Sequence, residues 1–129
     1  MQAVTSLRTG AILAGLAVGL GAFAAHGMKA HYEPQVMQTF ETGVRYQMYH
    51  ALALLGCGLL ADRGHRTGAA AWCFVLGILL FSGSLFAMTW TGARWLGAVT
   101  PFGGLAFLVG WLLLAVAAGR GGTRAATNP

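Results

Sequence analysis

Four apolar stretches alternate with short polar connections along the chain: TGAILAGLAVGLGAFAA (9–25), YHALALLGCGLLA (49–61), AAAWCFVLGILLFSGSLFAMTW (69–90) and VTPFGGLAFLVGWLLLAVAA (99–118). Roughly 17–25 apolar residues cross the hydrocarbon of a bilayer as a helix. The third and fourth stretches qualify as they stand. The second reaches that length only by taking in the polar segment TGVRYQMYHALALL (42–55) that leads into it. The pattern therefore predicts a second helix from about Val36 to Ala61. Thr100-Pro101 reads as an N-cap followed by proline at the first helical position, which starts the fourth helix there.

The first stretch allows two readings. Arg8, an apolar run and then Ala22-Phe23-Ala24 imitate a secretory signal with a small-residue cleavage site. Against this, Ala11, Gly15 and Gly19 form a small-x-x-x-small row, the spacing that lets helix backbones pack closely in lipid. That row predicts a retained helix packed along it.

A helical wheel divides the second helix. At 3.6 residues per turn, Met37, Phe40, Val44, Met48, Ala51 and Leu55 share one side. Gln38, Glu41, Thr42, Arg45 and Tyr49 share another, flanked by Tyr46 and His50. Intramembrane ionisable groups normally face the protein interior or a wet cavity, which predicts that the Arg45 side faces the bundle and the Met37–Phe40–Val44 side meets lipid or a partner. Glu41 and Arg45 are spaced i, i+4 with the acid first, the favourable order for a pair. Near the outer interface they should neutralise each other. The candidate polar site is Glu41, Arg45, Tyr46, Tyr49 and His50, with His26, Ser82 and Ser84 as contributors. Taken singly, each has an ordinary explanation: a belt tyrosine, a satisfied core histidine, a hydroxyl bonded back to its helix. Only their grouping raises the segment above that.

Composition places the chain in the membrane class. It is 57% hydrophobic and 9% charged, whereas a soluble domain carries about a quarter charged residues. The net charge of +5 does not indicate nucleic acid, because the basic residues sit in breaks between apolar runs. With four spans, the N-terminus, the 62–68 loop and the tail share a side that holds Arg8, Arg63, Arg66, Arg120 and Arg124. The other side holds Lys29 and Arg94, with Arg45 at its edge. Lysine and arginine concentrate in the cytoplasm, so both termini are expected there, with Trp90 and Trp95 bracketing the outer end of the third helix. The expected architecture is an all-α integral membrane four-helix bundle over 1–118 in the inner membrane, followed by a glycine-rich flexible tail (119–129).

No cofactor or metal is expected. His26 ends the first helix, while His50 lies about 10 Å deeper, a mismatch for two axial haem ligands. No Cys-x-x-Cys, His-x-x-x-His or carboxylate cluster points to a metal. Cys57 and Cys73, each about a turn from the 62–68 hairpin, read as small packing residues that lie near each other. Ser82, Gly83 and Ser84 sit in the third helix, where hydroxyls bond back or across to a neighbour, and Gly83 with Ala87 makes a second small-x-x-x-small pair.

The segments GAFAAHG (21–27), TGVRYQMYHALALL (42–55), LFSGSLF (80–86) and TPFGGLAFLVGWLLLA (100–115) resemble, in order, a known family: the small four-helix membrane proteins of unknown function that include bacterial YgdD and YwdK, with relatives in eukaryotic organelles. The resemblance covers nearly all of the chain except the tail. It implies a retained first helix and carries no established activity, so no catalytic residue follows from it. Three function classes stay open. One is an accessory or assembly protein acting through helix–helix contacts, with the bilayer and either a second copy or a larger membrane protein as partners. Another is an oligomeric transporter or channel for a small anion, proton or polar solute. The weakest is lipid or quinone binding. An enzyme is not expected, since no nucleophile–base set is readable.

Overall fold

The protein is described here by a computed structural model, which covers residues 1–121. The rest of the expected flexible tail, 122–129, lies outside the described residues. Four long helices form the chain: α1 (Ala3–Met28), α2 (Pro34–Asp62), α3 (Gly68–Thr91) and α4 (Thr100–Gly119). A 3-10 turn, Arg94–Ala98, leads into α4. The chain is thus an all-α membrane four-helix bundle. Helices α1, α3 and α4, the last with its leading turn, are each apolar enough to cross a membrane; α2 is not among them. Its polar first half is the reason.

Helix ends follow local chemistry. Pro34 opens α2 and Pro101 sits in the first turn of α4, where a missing N–H costs nothing. Gly92 closes α3 at φ 71, a left-handed cap that favours glycine. Thr100 departs from expectation. Its hydroxyl does not cap α4 but meets Ser84 Oγ at 2.6 Å, tying α4 to α3.

The helices pack in the order α1, α2, α3, α4, and the backbones of α2 and α4 come close at few points. Glycines set the approaches. A Cβ on Gly10 would lie 2.7 Å from the Ala51 carbonyl oxygen, and one on Gly110 would lie 2.7 Å from Phe74 Cε1. The α1 face that packs is Ser6, Gly10, Ala17 and Ala24. The predicted row is displaced: Ala11, Gly15 and Gly19 are exposed, with nothing within 4 Å of a Cβ at either glycine. One residue along a helix turns about 100°, so two small-residue rows lie side by side and α2 engages the other one.

Met1 approaches Gly68, and the Ala117 carbonyl lies 3.0 Å from His65 Nδ1. The N-terminus, the 62–68 loop and the end of α4 therefore share one end of the bundle. Cys57 is buried and Cys73 half-buried, both as free thiols. Cys57 packs in the core with Ala70 and Phe74, while Cys73 faces Gly110.

Candidate functional site

Helix α2 carries the site, and its orientation differs from the wheel. Phe40 is fully buried and Met37 nearly so; the Phe40 ring lies 4.9 Å from Phe86 and 5.4 Å from Trp90. Val44 is half-buried beside Gly21. Arg45 is exposed, as are Tyr46 and Tyr49. The polar stripe thus faces outward and the Met37–Phe40–Val44 side faces inward. The physical reason lies in the solvent. Lipid is as apolar as leucine, so hydrophobicity does not choose the packed face; close-fitting small residues and bonds between helices do. Gly43 lets the Phe86 ring close to 2.7 Å from a Cβ position, and Gln47 Nε2 donates to the Leu13 carbonyl at 2.9 Å. Gln47 is the buried polar residue that the wheel overlooked. Its signal was its place on the row Phe40, Gly43, Gln47, Leu54.

The expected Glu41–Arg45 pair does not form. The side-chain bonds of this stretch are those of Thr42, Gln47 and His50; Arg45, Tyr46 and Tyr49 make none among the described residues. Glu41 instead lines a surface groove together with Lys29 and Tyr32.

His50 is 4% exposed and fully bonded. Trp111 Nε1–H donates to His50 Nε2 at 3.0 Å. An indole N–H can only donate, so Nε2 accepts, and the proton sits on Nδ1, which donates to the Tyr46 carbonyl at 2.7 Å. The ring is held in the neutral Nδ1–H form. It stacks on Phe107 at 3.5 Å and 7°, with Phe74 and Trp111 beside it. Tyr46 lies 4.7 Å from Phe81. Phe107 and Trp111 come from α4, and no spacing within α2 pointed to them.

These residues line a groove of about 370 Å³ between α2 and α4, formed by Tyr46, Tyr49, His50, Gly104, Phe107, Leu108 and Trp111. The groove exists because the backbones of α2 and α4 stay apart, with α3 packed between them, and meet only through the side chains of Tyr46, His50, Phe107 and Trp111. Along α2, Arg45 lies about 7.5 Å from the level of Phe40, and Tyr49 and His50 about 13.5 and 15 Å from it, midway along the helix.

The other contributors lie elsewhere. Ser82 donates to the Gly43 carbonyl at 2.6 Å, from a π-helical turn, Ile78–Ser82, that widens α3 against α2. Ser84 donates to the Phe81 carbonyl at 2.9 Å and meets Thr100. Both hydroxyls are bonded within the bundle, and neither lines the α2–α4 groove. His26 is exposed in the last turn of α1, apart from His50. Among the described residues no group of three histidine, cysteine or acidic side chains is placed to hold a metal.

A family model described as a protein of unknown function (DUF423) matches residues 20–104. The chain is 48% identical over 112 residues to the UPF0382 membrane protein YwdK of Bacillus subtilis, covering 84% of this chain and 91% of that relative. It is 44% identical over 109 residues to a UPF0382 membrane protein of Staphylococcus epidermidis, covering 84% and 89%. Against one from Haemophilus influenzae it is 43% identical over 101 residues, covering 76% and 80%. No solved structure matches the chain.

Proposed function

The chain belongs to the DUF423 family of membrane proteins of unknown function, and from that premise we propose that it is a non-enzymatic accessory protein that docks another transmembrane helix on its α2–α4 face. The observation that carries this reading is the outward placement of Arg45, Tyr46 and Tyr49 on the lipid-facing side of α2. Tyr49 is 53% exposed, and its hydroxyl has no hydrogen-bond partner among the described residues. A polar group left unbonded in hydrocarbon costs several kcal/mol (about 2–7, by reference state). A partner helix that supplies acceptors removes that cost. The interior speaks against a path through one copy, since aromatic rings fill the space over Gly43, Gly77 and Gly110.

The membrane assigned is the inner membrane, with both termini cytoplasmic, on the arginine and lysine distribution between the loops. The test is mild extraction followed by mass measurement of the intact particle. A stoichiometric complex with a different membrane protein, lost on Arg45→Gln, supports the proposal. A monomer carrying only lipid refutes it. A particle made of this chain alone would instead favour the oligomeric transport reading.

A further inference from the structure

At the end of the bundle that holds Met1, a second groove of about 250 Å³ runs between α3 and α4. It lies at the opposite end of the fold from Arg94 and away from the α2–α4 face. Ala70 and Ala117, both buried, form its floor; Leu113, half-buried, and Val116, exposed, form its apolar side. Arg66 and Arg120 stand at its mouth, both exposed. Among the described residues no acidic side chain lines it. The loop that carries Arg66 is fastened to α4 by the 3.0 Å contact of His65 Nδ1 with the Ala117 carbonyl, so the two arginines are presented together.

The groove spans two environments. Leu113 is seven residues from Arg120, which caps the same helix, about 10.5 Å along its axis. The groove thus runs from apolar side chains at one end to two arginines at the other. Arginine suits phosphate because its planar fork donates two parallel N–H bonds. Basic pockets between transmembrane helices near the membrane surface are suited to acidic head groups. We propose that this groove binds one anionic phospholipid, with its phosphate between Arg66 and Arg120 and the start of an acyl chain along Leu113 and Val116. A free phosphate ion shares the first half of that chemistry but leaves the apolar half of the groove empty. The lipid uses both.

The full chain is purified in neutral detergent, and native mass spectrometry counts the retained lipid during titration with phosphatidylglycerol or phosphatidylcholine. One phosphatidylglycerol should be retained in preference to phosphatidylcholine. Arg66→Gln or Arg120→Gln should each weaken retention about fivefold, the effect of about one basic residue near a membrane surface. Arg63→Gln removes the same charge three residues away, at a position that does not line the groove, and should change nothing. Ala69→Phe fills the groove from an exposed position and should abolish retention with both arginines intact. If that variant does not fold, Val116→Phe, also at an exposed position, takes its place. Equal retention of the two lipids, an Arg63→Gln effect as large as that of Arg66→Gln, or retention unchanged by the filling variant would each overturn the proposal. Displacement of the lipid by millimolar inorganic phosphate would also overturn it, in favour of a free-anion site.

Discussion

The bond between Trp111 and His50 joins α2 to α4 midway along both helices, and removing either partner should leave the other stranded. In Trp111→Phe the ring can still rest near Phe74, which lies 5.0 Å from the Trp111 ring, but the donor to His50 Nε2 is lost. In His50→Phe the stack on Phe107 can persist while the indole N–H loses its acceptor. An orphaned buried polar group costs about 1–3 kcal/mol in proteins generally, and interhelical polar contacts in membranes average about 0.6 kcal/mol with a maximum near 1.7. The packing that Trp111 loses is limited, because it is 45% exposed. Each single change should therefore cost about 1 kcal/mol, roughly a fivefold drop in the folding constant. The double variant strands neither group and should cost about 1 kcal/mol less than the sum. The assay is unfolding by sodium dodecyl sulfate in bicelles, followed by circular dichroism, for all four members of the cycle. Costs that add to within about 0.3–0.5 kcal/mol, the scatter of independent sites, would refute the coupling. Nitrogen-15 spectra of labelled histidine supply a separate check, because a proton found on Nε2 is incompatible with an indole donor there.

Gly10→Ala should destabilise the protein by about 1–3 kcal/mol, because the added carbon meets the Ala51 carbonyl, which is backbone and cannot swing aside. Gly15→Ala should leave stability unchanged or raise it by up to about 1 kcal/mol through helix propensity. The same unfolding titration compares them, and equal losses would mean that α1 packs on the other row. Single cysteines placed in the 122–129 segment and in the 91–98 loop should react with an impermeant maleimide only from inside and only from outside, respectively. Labelling of the first from outside in intact cells would reverse the proposed topology.

Sequence periodicity was enough to define four helices, the dependence of α2 on its polar segment and the start of α4, because helix length in a membrane is dictated by bilayer thickness and composition. These are local properties. The polar residues of α2 were visible in the sequence as well, but the structure does not gather them: Tyr46, Tyr49 and His50 share the α2–α4 groove, while Glu41 lines another with Lys29. The direction they face was not visible there. A wheel assigns residues to faces, but in lipid hydrophobicity does not say which face is inside. That choice rested on contacts between distant segments: Phe40 with Phe86 and Trp90, Gln47 with Leu13, Gly10 with Ala51. The same limit explains why the Ala11–Gly15–Gly19 row does not carry the packing: Ser6 and Gly10 have the same spacing, and only contacts with α2 distinguish the two rows. His50 shows the division most directly. Its type and position were plain from the chain, whereas its tautomer depends on Trp111, which comes within 3.0 Å only because α3 holds α4 beside α2.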